Sequence, residues 1–147
     1  MSTSALELRD VRKVYGTGDN EVVALDHATL TVEAGEVLAL VGPSGSGKTT
    51  LCSIAGGILS ATDGEVVVGG RDITGLDARR LTEFRRTTVG FVFQSVNLVP
   101  FLTARENLLV VDEIGPRSRR AARQRADELL DELGLGDRGG HLPGELS

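Results

Sequence analysis

Gly42-Pro43-Ser44-Gly45-Ser46-Gly47-Lys48-Thr49-Thr50 fits G-x-x-x-x-G-K-[ST], the pattern of a glycine-rich turn that cradles phosphate groups and opens a helix. The apolar run Leu38-Ala39-Leu40-Val41 just before it predicts a buried strand, and Thr49 to Gly56 predicts the first helix. Strand, glycine turn and helix are the surroundings the pattern requires. Gly42, Gly45 and Gly47 permit backbone angles closed to other residues and let main-chain N–H groups approach phosphate oxygens. The helix N-terminus adds unpaired N–H groups and a partial positive charge. Lys48 is placed to reach the β- and γ-phosphates of a nucleoside triphosphate, and the Thr49 hydroxyl to ligate Mg²⁺. Thr50 adds a second hydroxyl near the α-phosphate.

The chain has 147 residues, 40% of them hydrophobic and 25% charged, enough for one globular domain with its own core. A formal net charge of −5 argues against nucleic acid as a partner. No apolar run approaches the roughly 18 residues that span a bilayer. Met1-Ser2-Thr3-Ser4-Ala5 has neither a basic patch nor an apolar stretch behind it, so no signal peptide is expected. Cys52 is the single cysteine, which excludes an internal disulfide and suits a reducing compartment. Its place in the predicted helix reads as a small buried apolar residue.

Around the glycine turn, Leu6, Leu8, Val11, Val14 and Tyr15 are followed by the turn cluster Gly16 to Asn20. Val22 to Leu25, then Ala28, Leu30 and Val32, come next, closed by Glu33-Ala34-Gly35. Alternation with tight turns predicts antiparallel strands. Tyr15, at a strand end before a glycine turn, is either a half-buried strand aromatic or a ring that stacks on a nucleotide base. Thr62-Asp63-Gly64 is a turn and Glu65 to Val68 a strand. Asp77 caps a short helix, Ala78 to Arg86, with Leu81 and Phe84 on one side and Arg85-Arg86 read as a solvated face. Val89-Gly90-Phe91-Val92-Phe93 predicts a further buried strand ending at Gln94. Sites in parallel α/β sheets lie at the carboxyl ends of strands, so the Gln94 amide is placed to ligate Mg²⁺ or to hold an attacking water.

After the apolar loop of residues 95–102, Thr103-Ala104-Arg105-Glu106 is a capping box that starts a helix. A second helix fits Ser118 to Leu133, with Ala122, Ala126, Leu129, Leu130 and Leu133 on one face and Gly134 as its stop. Its early arginines, from Arg117, and late acids oppose the helix dipole, with pairs such as Arg123–Asp127 in partial compensation. Leu108-Leu109-Val110-Val111-Asp112-Glu113 has the look of a Walker B strand. If it were one, the chain would be a small self-sufficient P-loop ATPase. The capping box at Thr103 argues instead that this stretch is helical.

Five stretches resemble the nucleotide-binding subunit of ABC transporters: Val14-Tyr15-Gly16, Gly42 to Thr50, Gly64-Glu65-Val66, Val89 to Gln94, and Leu98-Val99-Pro100-x-Leu102-Thr103-x-x-Glu106-Asn107. Tyr15-Gly16-Thr17-Gly18-x-x-Glu21-Val22-x-Ala24-Leu25 and Thr88 to Leu98 are similar to the lipoprotein-releasing and macrolide-exporter branch. The resemblance implies an α/β fold: a P-loop NTPase core with a mixed sheet and an antiparallel β subdomain in residues 1–94, and the start of a helical subdomain in residues 95–147. It implies ATP and Mg²⁺ as ligands, with Tyr15 as the aromatic that stacks on adenine, Gly42 to Thr50 as Walker A, and Gln94 as the Q-loop residue coupling the site to membrane subunits. The implied partners are transmembrane permease subunits and a second nucleotide-binding subunit in a homodimer sandwich, on the cytoplasmic face of the cell membrane. Leu146-Ser147 matches the first two residues of the Leu-Ser-Gly-Gly-Gln signature. With the Walker B aspartate, catalytic glutamate and switch histidine all placed later in the family, the chain as written is expected to bind ATP without turning it over efficiently.

Overall fold

Leu8 and Val11 are both fully buried although they stand three positions apart, a spacing a regular strand would split between opposite faces. The computed structural model, which describes residues 4–95, 97–112 and 118–146, resolves this with a bulge. Strand β1 (Ser4–Tyr15) pairs antiparallel with β2 (Val22–Glu33), and the register shifts between Leu8↔Leu30 and Val11↔Ala28. Asp10 within that shift, and His27 within the next one between Val11↔Ala28 and Lys13↔Leu25, take the left-handed conformation, with φ of 54° and 50°. The His27 ring nitrogen Nδ1 lies 2.8 Å from the Asp10 carboxylate, and the Asp10 N–H donates to Thr29 Oγ1 at 3.1 Å. The bulge turns Val11 inward, as the extra residue of a bulge does.

β3 (Asp63–Val68) pairs with the other edge of β1, and the two-residue β4 (Arg71–Asp72) with β3, giving an antiparallel sheet of order β2-β1-β3-β4. Helix α1 (Lys48–Ala55) contributes Ile54, and α2 (Ala78–Thr88) contributes Leu81 and Phe84, to a core with Leu8, Val11, Leu25, Val66 and Ile73. Phe84 is completely buried, which is worth roughly 1.5–3 kcal/mol by transfer energetics. The Asp77 carboxylate accepts from the Arg80 N–H at 2.8 Å, the N-cap read in the sequence. Arg85 is not merely a solvated residue: its guanidinium donates to the Gly57 carbonyl at 2.6 Å, just past the end of α1.

Two expected strands are absent. Residues 36–41 and 89–93 carry no ladder, so no parallel pair accompanies the antiparallel sheet among the described residues, and the mixed sheet is not formed there. Val37 is 97% exposed, Val41 89% and Val92 101%. A strand is a property of a pair, and these segments have no laddered neighbour among the described residues. Cys52 is exposed rather than buried. The short α1 turns only a narrow face to the sheet, with Ile54 as its buried residue.

The chain divides into two compact units, Met1–Phe91 and Val92–Ser147. The second is built on α3 (Ala104–Asp112) and α4 (Arg119–Glu132), packed through Ala104, Ala122, Ala126 and Leu130. The capping box is present: the Thr103 N–H and hydroxyl donate to the Glu106 carboxylate at 2.8 and 2.9 Å, and the Glu106 N–H donates to Thr103 Oγ1 at 3.3 Å. Those bonds hold the Glu106 carboxyl below its ordinary range. Asn107, buried in α3, fastens the preceding loop. Its amide nitrogen donates to the carbonyls of Val99, Leu102 and Thr103 at 3.1, 2.9 and 3.0 Å, and its oxygen accepts from the Val99 N–H at 2.7 Å. Asp127 pairs with Arg105 of α3 at 2.6 Å, across to the other helix rather than along α4 to Arg123. Ser118 caps α4 through the Ala121 N–H, and Gly134, at φ 70°, ends it. Val96, Glu113, Arg117 and Ser147 lie outside the described residues.

Candidate functional site

The glycine turn is positioned by one close approach. Gly47 is the N-cap of α1 and has φ 83°; a Cβ there would stand 2.5 Å from the Ala24 carbonyl oxygen and 2.9 Å from Leu25 Cδ2. Ala24 is the extra residue of a further bulge, because Lys13 pairs with Leu25 while Val14 pairs with Val23. The turn into the helix therefore seats against a kink in β2 where only a residue without a side chain fits. At the other end of α1, Phe91 packs its ring where a Cβ of Gly56 would lie. The helix is thus held at both ends by glycine contacts.

Within the loop, the Lys48 ammonium donates to the Gly42 carbonyl at 2.8 Å, the Pro43 carbonyl at 2.6 Å and the Ser46 hydroxyl at 3.1 Å. It spans the turn from its far end to its near end. The Ser46 N–H donates to the Pro43 carbonyl at 3.4 Å, and the Leu51 N–H donates to the Gly47 carbonyl at 2.8 Å, the bond that starts α1. Ser44 and Gly45 form the exposed tip, with Gly45 at φ 80°. Thr49 is exposed and Thr50 partly buried in the first turn of the helix. A free helix N-terminus, a lysine and two hydroxyl residues converge at one exposed loop, a set that suits a polyanion.

Tyr15 ends β1 beside this loop. It pairs with Val22, two residues along the strand from the Lys13↔Leu25 pair on which Gly47 rests. At about 3.4 Å per residue that is roughly 7 Å along the strand. Tyr15 is 41% exposed, and Lys13 Nζ lies over its ring, 5.2 Å from the centroid. Gln94 is exposed and belongs to the second unit. The stretch Leu108 to Asp112 is helical within α3, so it is not a Walker B strand. Among the described residues no group of three or more His, Cys, Asp or Glu side chains is arranged to hold a metal ion.

Away from the glycine turn, hydrogen bonds from Ser4 and Arg9 hold the Glu7 carboxyl below its ordinary range, and bonds from Thr74 do the same for Asp72. What the loop itself offers is its backbone geometry and the Lys48 ammonium. Sequence reasoning missed the Ala24 bulge, the Ser46 hydroxyl as a support for Lys48, and Lys13. The available signal for Lys13 was its i, i+2 spacing from Tyr15, which puts two residues on one strand face.

Residues 25–147 match the family model described as ABC transporter. The chain is 42% identical over 147 residues to the macrolide export ATP-binding/permease protein MacB of Hyphomonas neptunium, covering 100% of this chain and 23% of that protein. It is 44% identical over 143 residues to the lipoprotein-releasing system ATP-binding protein LolD of Granulibacter bethesdensis, covering 97% of this chain and 62% of that one. Among solved structures it is similar to the dimeric post-hydrolysis state of the ATP-binding cassette MJ0796 bound to ADP and Pi. There the TM-score is 0.84 at 38% identity, over 97% of this chain and 63% of that chain. The chain thus spans under a quarter of the exporter and under two thirds of the shorter relative.

Proposed function

The chain belongs to the ABC transporter family, and from that premise we propose that it is the ATP-binding part of a transporter for export or lipoprotein release, with residues 42–50 gripping the triphosphate. The observation that carries the reading is the posture of Lys48. Its ammonium already bridges the loop through three oxygen acceptors, at the N-terminus of a helix. Phosphate oxygens are stronger acceptors for an ammonium than carbonyls, so a bound polyphosphate draws the same ammonium to its β and γ groups. Main-chain N–H groups of residues 44–48 then complete the cradle, and Thr50 adds a hydroxyl toward the α end. Tyr15, at the neighbouring strand end and partly exposed, offers its ring to the base.

Thr49 is the loop residue that would hold Mg²⁺: its exposed hydroxyl is a neutral oxygen donor, which suits a hard cation that keeps several waters and binds mainly through phosphates. Gln94, exposed on the second unit, offers an amide oxygen of the same kind. Bound at the loop, Mg²⁺ would supply neutralisation of the polyphosphate's negative charge. With Leu108 to Asp112 helical, that stretch offers no strand-end carboxylate to activate water. Binding without turnover is therefore the behaviour we propose for these 147 residues alone. Permease subunits, a second copy in a nucleotide sandwich, and a place on the inner membrane face are part of the same proposal. It draws on the ATP-binding/permease relatives and the dimeric cassette. No helix among the described residues is long and apolar enough to cross a membrane.

The test is an equilibrium titration with Mg²⁺-ATP alongside a phosphate-release assay on the same material. Saturable binding with no release above buffer supports the proposal. Steady release abolished by Asp112→Asn would restore the self-sufficient ATPase, and absence of binding would remove the nucleotide reading.

A further inference from the structure

We propose that Lys13 is a positioning residue that holds the Tyr15 ring with one face covered, so that a base can stack only on the other. This rests on the reading that Tyr15 meets the base. Lys13 and Tyr15 stand two apart on β1 and so project from the same face of the strand. The ammonium lies 5.2 Å from the ring centroid, inside the range in which a cation is attracted to an aromatic face. It is also anchored: Lys13 Nζ donates to the Ser60 carbonyl at 2.7 Å. The segment carrying Ser60 is itself tied to β1, by the Thr62 N–H to the Arg12 carbonyl at 2.8 Å and the Val14 N–H to Thr62 Oγ1 at 3.0 Å.

The result is a ring clamped from one side. A free tyrosine at a strand end samples several rotamers, and ordering it on binding weakens affinity. A cation fixed to the backbone removes part of that loss beforehand. Lys13 is one of only two lysines in a chain with 16 Lys and Arg together, the other being Lys48. The two ammonium groups then serve opposite ends of the same ligand, Lys48 the phosphates directly and Lys13 the base through a ring.

The experiment measures dissociation constants for ATP and for inorganic tripolyphosphate, which has no base. It uses the wild-type chain, Lys13→Met, Lys13→Gln, Lys13→Arg, Tyr15→Leu and Lys13→Met/Tyr15→Leu. Lys13→Met is expected to weaken ATP about two- to five-fold and leave tripolyphosphate unchanged. Lys13→Arg restores ATP affinity. In the Tyr15→Leu background, Lys13→Met has no further effect. Lys13→Gln keeps a donor for Ser60 without the charge, and matches Lys13→Met in affinity even if the latter folds poorly. Equal weakening of ATP and tripolyphosphate would overturn the proposal, since Lys13 would then act on the phosphates. Independent, additive effects of Lys13 and Tyr15 would overturn it too. If Tyr15→Leu leaves the ratio of ATP to tripolyphosphate affinity unchanged, the base-stacking reading fails first and the role of Lys13 falls with it. If Tyr15→Leu lowers that ratio and Lys13→Met does not, only the role of Lys13 fails.

Discussion

Gly45 and Gly47 have nearly the same backbone angle, φ 80° and 83°, but different surroundings, and alanine at each separates conformational strain from steric exclusion. At Gly45 a Cβ meets nothing within 4 Å. Gly45→Ala therefore bears only the left-handed penalty, roughly 1–2 kcal/mol. At Gly47 the same penalty applies, and the Cβ also stands 2.5 Å from the Ala24 oxygen and 2.9 Å from Leu25 Cδ2. Relief needs the helix start to move away from β2 by about 1 Å, which opens the contact between α1 and the sheet at the level of overpacking costs, about 1–3 kcal/mol more. Gly47→Ala should thus destabilise by about 2–5 kcal/mol and Gly45→Ala by about 1–2 kcal/mol. Urea unfolding of the two variants gives the comparison, and a Mg²⁺-ATP titration at low denaturant shows whether the displaced loop also binds less. Equal destabilisation by the two alanines would refute the claim that the loop is seated against the Ala24 bulge.

Asn107→Ala leaves the Val99 N–H and the Leu102 and Thr103 carbonyls without their side-chain partner, a loss of about 2–4 kcal/mol. Hydrogen exchange should rise across residues 98–112 while ATP affinity stays within two-fold, about 0.4 kcal/mol. Glu106 has a pKa lowered by its bonds to Thr103, so its contribution is full above the ordinary value of 4.5 and is lost as pH falls through the lowered folded value. Glu106→Gln should accordingly be less stable than wild type at pH 7, with the gap closing in acid; a gap independent of pH in denaturant melts would contradict the cap. Asp112→Asn, at the C-terminal end of α3, should change stability by no more than about 0.5 kcal/mol and leave ATP affinity as it was.

The elements with local punctuation were legible. Asp77 before Ala78, Thr103 with Glu106, and Ser118 before α4 each announce a helix through bonds made within one turn. The pairing of β1 with β2 was legible in the alternation of apolar residues around the Gly16 turn. The glycine turn was legible because its chemistry restricts residue types at fixed spacing. What escaped depends on distant partners. Leu38 to Val41 and Val89 to Phe93 have strand composition, but composition does not supply a ladder. Leu8 and Val11, at odd spacing, did carry a sign of the Asp10 bulge, whereas nothing local marks Ala24 as the place where Gly47 closes on β2. Asn107 reads as an ordinary polar helix residue until four hydrogen bonds place it inside the fold. Cys52 reads as a small buried apolar residue from its place in the helix, yet a helix of eight residues covers too little sheet to hide it.

The most direct measurement is calorimetric titration of the chain and its Lys48→Met variant with Mg²⁺-ATP and with tripolyphosphate, both proteins first matched for thermal unfolding. A lysine that grips the phosphates gives saturable binding in the wild type and about ten- to a hundred-fold weaker binding of both ligands in the variant. Binding that is unchanged when the ammonium is removed, or no binding by the folded wild type, would contradict the phosphate loop at residues 42–50.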